Sequence, residues 1–134
     1  MTLSKTDAVF TAAVTLGAVL MLTIAVRGQE PPPLDPRILE YDKGPAKIDV
    51  SDYPEEMRDR YKLFSDKCGK CHTLARAINC DFVLEDEWER YVKRMMNKSG
   101  TFISADEGRE IYEFLVFDSK TRKKELYEER SKGK

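Results

Sequence analysis

The chain reads as a small all-α protein preceded by an apolar helix of membrane-spanning length. Three observations predict this. Separate stretches carry apolar residues at helical spacing, no alternating strand of useful length or internal repeat occurs, and residues 8–26 run without a charge. With 134 residues, 41% hydrophobic and 35% charged, there is room for one domain plus accessories. A net charge of −1, without dense basic patches, excludes a nucleic-acid binder.

Nineteen uncharged residues from Ala8 to Val26 match the roughly 20 that an α-helix needs to cross the hydrocarbon core. A cleaved signal peptide has an apolar region of about 7–15 residues and a small-residue cleavage site. The run here is longer, and Ile24-Ala25-Val26-Arg27-Gly28 offers no good site. Residues 1–28 are therefore expected to be an uncleaved anchor.

Residues 29–51 contain Pro31-Pro32-Pro33, Pro36 and Pro45. Proline fixes φ and favours extended, semi-rigid backbone, so this segment is a tether or a strap. Ile38, Leu39, Tyr41 and Ile48 are more apolar side chains than a bare linker needs, which favours a strap pinned against a neighbouring subunit.

The first soluble helix should open near Asp52-Tyr53-Pro54-Glu55-Glu56, because proline suits a first turn and early acids complement the helix dipole. Met57, Tyr61, Phe64 and Cys68 then draw one apolar stripe along it. Thr73 to Asn79 is short and partly helical at best. A second helix runs from about Leu84 to Lys98, with Glu85, Asp86 and Glu87 in its first turn and Gly100 as its stop. Its buried face is Trp88, Tyr91 or Val92, and Met95. Ser104-Ala105-Asp106-Glu107 is a capping box that opens a third helix, with Ile111, Phe114, Leu115 and Phe117 facing inward. Beyond Asp118 the sequence turns strongly polar. Residues 118–134 read as a charged helical extension, solvated or partner-bound, that frays at its end.

The first helix runs straight into Cys68-Gly69-Lys70-Cys71-His72. Two cysteines two residues apart, followed at once by histidine, are the attachment signature of a c-type haem. Each thiol makes a thioether to a vinyl group, and His72 falls beneath the iron. A thioredoxin-like dithiol is the rival reading, but it lacks a βαβ pattern and leaves His72 unexplained. His72 is the sole histidine, so a second histidine ligand within the chain is excluded. Thioether sulfur is the usual partner of histidine in electron-transferring c haems. Met57 lies on the helix feeding the motif, which leaves Met95 and Met96. A helix turns about 100° between them, so only one shares the Trp88 face, and periodicity alone favours neither. Core filling is the ordinary alternative for both.

Cys68-Gly69-Lys70-Cys71-His72-Thr73-Leu74, then Trp88-x-x-x-Val92-x-Arg94-Met95, then Ile103-Ser104 and Ile111-x-x-Phe114-Leu115, resembles the small single-haem members of the class I cytochrome c family. The resemblance covers roughly residues 52–117. It implies three main helices around one covalent haem c, with the helices of Met57–Cys68 and Ser104–Phe117 crossing beside it. It also implies that the methionine directly after the arginine, Met95, is the distal ligand, with Met96 as the alternative. The chain departs from soluble relatives in its anchor, its proline strap and its charged tail.

The expected function is single-electron transfer by a membrane-anchored cytochrome, with the anchor at residues 8–26. Haem is attached outside the cytoplasm, so the N-terminus is expected inside and the haem domain in the periplasm or an equivalent space. Cys68, Cys71, His72 and Met95 hold the haem; Trp88, Tyr91, Phe102 and Leu115 are candidates for its pocket. No enzymatic activity or small-molecule substrate is expected, since six-coordinate iron leaves no open position. Redox proteins are the expected partners, and the strap and tail suggest a fixed subunit of a respiratory or photosynthetic membrane complex. The alternative is a haem sensor or ligand-binding protein with an open or labile distal site. Cys80 is read as a buried side chain. Lys67, Lys70, Arg76, Lys93, Arg94 and Lys98 form either a basic ring around the haem edge or the wet faces of two helices. A core of this size needs a staple, and covalent haem supplies one.

Overall fold

A computed structural model describes residues 33–100 and 102–133, and Leu34–Lys134 form one compact unit. The expected span at residues 8–26 lies outside the described residues. Among those described, no helix is long and apolar enough to cross a membrane. The described residues form six helices and no strand: α1 Pro36–Tyr41, α2 Glu55–Cys68, α3 Ala75–Asn79, α4 Glu85–Ser99, α5 Ala105–Arg122 and α6 Lys124–Lys132. The all-α expectation holds, and α2, α4 and α5 are the three main helices.

Local sequence explains their ends. Pro54 sits just before α2, where its missing N–H costs nothing, and Glu55 and Glu56 occupy the first turn. Val83 and Leu84 donate their backbone N–H groups to Glu87 Oε2 at 3.0 Å each, which fixes the start of α4. At α5 the capping box is complete. Glu107 N–H donates to Ser104 Oγ at 3.2 Å, and Ser104 N–H to Glu107 Oε2 at 2.9 Å.

The core forms where α2 and α4 pack on α5. Phe64 and Phe114, both fully buried, stack at 5.6 Å, and Tyr61 lies 5.4 Å from Phe114. Arg60 bridges Glu56 of α2 and Glu113 of α5 at 2.7 and 2.8 Å. On the other side, Gly108 of α5 lies so close to Met96 of α4 that a Cβ would overlap the methionine sulfur. Replacing Phe114 by alanine should destabilise the domain by about 3–5 kcal/mol, the usual cost of a large buried aromatic. Chemical denaturation of the purified protein reads that loss directly.

The third helix runs through the expected boundary at 118. Asp118 and Ser119 are polar in sequence yet buried, because each has a partner inside the fold. Tyr53 donates to Asp118 Oδ1 at 2.9 Å, Arg122 binds the same carboxylate, and Trp88 Nε1 donates to Ser119 Oγ at 2.8 Å.

The tail does not stand free. Past a break at Lys123, α6 packs back on the domain: Tyr127 donates to Glu85 at 2.9 Å, and Arg130 bonds Glu87 at 2.5 Å and the Asp81 carbonyl at 2.6 Å. Lys123 donates to the Cys80 carbonyl at 2.6 Å. Burial pushes the Glu87 carboxyl up, but the Val83 and Leu84 N–H donors and Arg130 outweigh it and hold it below its ordinary 4.5. A depressed folded value gives stability that is present above pH 4.5 and lost as pH falls through the folded pKa. The melting temperature of wild type should therefore drop on acidification below that point. The drop should be shallower in Glu87→Gln, which differential scanning calorimetry across pH will show.

The strap also has partners within its own chain. Ile48 N–H donates to Tyr61 Oη at 3.1 Å, and Ile48 and Val50 pack on the core. Residues 36–41 form α1, a helix not expected from the proline-rich composition. Asp35 caps it by accepting from Arg37 N–H at 2.9 Å, and Pro36 opens it.

Candidate cofactor site

Helix α2 delivers Cys68 on its last turn, and the chain leaves the helix at Gly69, whose N–H donates to Ser65 O at 3.1 Å. Cys68 is half-buried and Cys71 exposed. The next turn presents His72, whose Nδ1 lies 2.9 Å from the Thr73 carbonyl oxygen. A carbonyl oxygen only accepts, so Nδ1 is the donor, and in the neutral ring Nε2 is the nitrogen that could bind a metal. Thr73 Oγ1 then accepts from Ala75 N–H at 3.2 Å and starts α3.

Cys68, Cys71 and His72 line a cavity of about 530 Å³. Helix α4 contributes Tyr91, Arg94, Met95 and Lys98 to the same cavity, and the link before α5 contributes Phe102 and Ile103. Cys80 and Phe82 close it from the loop after α3, and Leu34, Ile38 and Tyr41 from the strap. Its volume falls within the roughly 300–1,000 Å³ of small-molecule and cofactor sites.

The two methionines separate. Met95 lines the cavity, whereas Met96, one helical step on, packs beside Gly108 at the α4–α5 contact. Tyr91 and Phe102 are in the wall as expected. Trp88 and Leu115 are not: both belong to the buried core behind it. Trp88 is turned towards α5 by its bond to Ser119 and meets Phe82 and Tyr91 edge-on at 5.7 and 5.6 Å, so it backs two residues that do line the cavity. Leu115 sits on α5 with Ile111 and Phe114, within the core those residues share.

Of the basic residues grouped by sequence, Lys67, Arg76, Arg94 and Lys98 line the cavity, joined by Arg37. Lys93 instead pairs with Glu89 at 2.6 Å, and Lys70 lies over the Phe102 ring at 4.4 Å. Asp35 is the single acid among the lining residues. Among the described residues, Arg94 and Lys98 have no carboxylate partner. Sequence reasoning missed Leu34, Ile38, Tyr41, Cys80 and Phe82. Only the surplus of apolar residues in the strap signalled Ile38 and Tyr41, and nothing signalled Leu34.

The donor set fits a haem. The cavity is lined by the thiols of Cys68, Cys71 and Cys80, the His72 imidazole and the Met95 thioether sulfur, with mostly apolar walls, and by Arg94 and Lys98, which among the described residues have no carboxylate partner and could meet a haem's carboxylates. It does not fit a bare ion: among the described residues, no three His, Cys, Asp or Glu side chains converge as such a site requires. Burial, with the Cys71 sulfur beside it, pushes the Cys68 thiol up to about 11. The Cys80 thiol is also raised by burial.

No protein-family model matches the chain, and neither a curated protein nor a solved structure does.

Proposed function

We propose that this chain is a membrane-anchored, monohaem c-type cytochrome that passes single electrons between redox proteins. One observation carries the reading: Cys68, Cys71, His72 and Met95 line a single cavity of cofactor size. When bound, the haem supplies a one-electron couple. The chain's residues do the rest. Cys68 and Cys71 fix the group covalently, and His72 offers Nε2 from a ring oriented by Thr73 O. Met95 offers a sulfur that favours the reduced state. Tyr91, Phe82, Phe102 and Ile103 keep water from it.

The proposed address is a single span at residues 8–26 with the haem domain outside the cytoplasm, where attachment is completed. Redox proteins remain the proposed partners. The strap and the tail, which in sequence argued for a fixed subunit, find their partners within the chain. Leu39 of the strap stays exposed, and a fixed place in a respiratory or photosynthetic membrane complex remains part of the proposal.

The test is purification of the full chain from cells equipped for haem attachment, followed by a haem stain of the denatured protein and the pyridine haemochrome spectrum. Haem that survives denaturation, at one per chain, is the expected result. A chain that carries none under these conditions overturns the reading.

A further inference from the structure

We infer that α1 is a component of the cofactor site: it covers one edge of the cavity, keeps water from that edge, and raises the reduction potential of the group held there. The inference rests on the haem reading above. Leu34, Ile38 and Tyr41 place apolar surface on the cavity, although they lie more than twenty residues before the attachment motif.

Nothing intrinsic holds α1 there. It has six residues, too few to be stable alone, and none of its residues is fully buried. Its position comes from polar ties to one segment, residues 76–81. Tyr41 donates its hydroxyl to Asp81 Oδ2 at 2.9 Å. Asn79 Nδ2 donates to the carbonyls of Tyr41 and Pro45 at 3.0 and 3.1 Å. Arg76 Nε meets both Asp42 oxygens at 2.9 Å. Gly44 makes the approach possible, since a Cβ there would overlap the Asn79 side-chain amide. Residues 76–81 themselves reach the cavity through Arg76 and Cys80. The cover is thus latched to the wall it closes.

The effect on the potential follows from charge. The oxidised centre carries one more positive charge than the reduced one, and excluding water disfavours the more highly charged form. Opening the strap readmits water and lowers the potential.

The test uses the full-length holoprotein in detergent, with equilibrium redox titration and hydrogen exchange of residues 36–41. Gly44→Val drives Asn79 off the strap; Tyr41→Phe removes one hydroxyl and keeps the ring, so it serves if the valine variant fails to fold. In Gly44→Val, exchange in 36–41 should rise and the reduction equilibrium should weaken roughly tenfold, about 59 mV for one electron. Tyr41→Phe should move both in the same direction by less. Faster exchange with an unmoved potential overturns the role assigned to α1, and unchanged exchange in both variants overturns the latch. Absence of covalent haem from wild type instead overturns the functional reading.

Discussion

Produced with Cys68→Ala and Cys71→Ala and without haem, the full chain should lose most of the far-UV helical signal of its α1–α6 helices and melt without a cooperative transition. The reason is the size of the cavity. A cavity of about 530 Å³ left without its occupant bares its apolar walls, at a cost on the order of several kcal/mol. The whole stability of a domain this size is about 5–15 kcal/mol. Solvent entering the open parts of the cavity reduces that penalty, but it leaves Tyr91, Phe82 and Ile103 facing water. Helix α1 then loses one of its two supports. Circular dichroism of the double variant beside the holoprotein decides the matter, and a cooperatively melting apoprotein of native helicity would contradict it.

The second large effect divides the adjacent methionines. Met95→Ala should abolish the weak long-wavelength absorption that sulfur–iron ligation gives an oxidised c haem. It should also open the iron to carbon monoxide and lower the potential. Met96→Ala should leave the absorption intact and instead lower thermal stability, because the space beside Gly108 empties; Met96 is half-buried, so the loss should be below the about 2–5 kcal/mol of a fully buried methionine. The reverse pattern would make Met96 the ligand. Carbon monoxide binding as fast in wild type as in Met95→Ala would favour a sensor with an open distal site over an electron carrier.

The elements legible in sequence are those whose signals are local. The Pro54-Glu55-Glu56 start, the Ser104/Glu107 box and the periodicity of Phe64, Trp88 and Phe114 each act within a turn or two of chain, and the helices appear where they point. The attachment motif is equally local. What was hidden depends on pairs far apart. Tyr41 and Asp81 are forty residues from each other, and Arg130 and Asp81 forty-nine. Each residue alone looks like solvated surface. Asp118 and Ser119 misled for the same reason: a polar residue satisfied by Tyr53, Arg122 or Trp88 reads as exposed until its partner is known. The choice of Met95 over Met96 came from a resemblance, since one helical step separates them and only the position of α5 tells which side each faces.

The loop at residues 79–82 is fastened by the strap on one side and by Lys123 and Arg130 on the other. It acts as the buckle of a belt that closes the domain from both flanks. Tension transmitted along the chain from the N-terminal side meets Tyr41 and Gly44 before it reaches α2. A mechanical pull from that side therefore reaches the cover over the cavity before it reaches the Cys68–His72 motif.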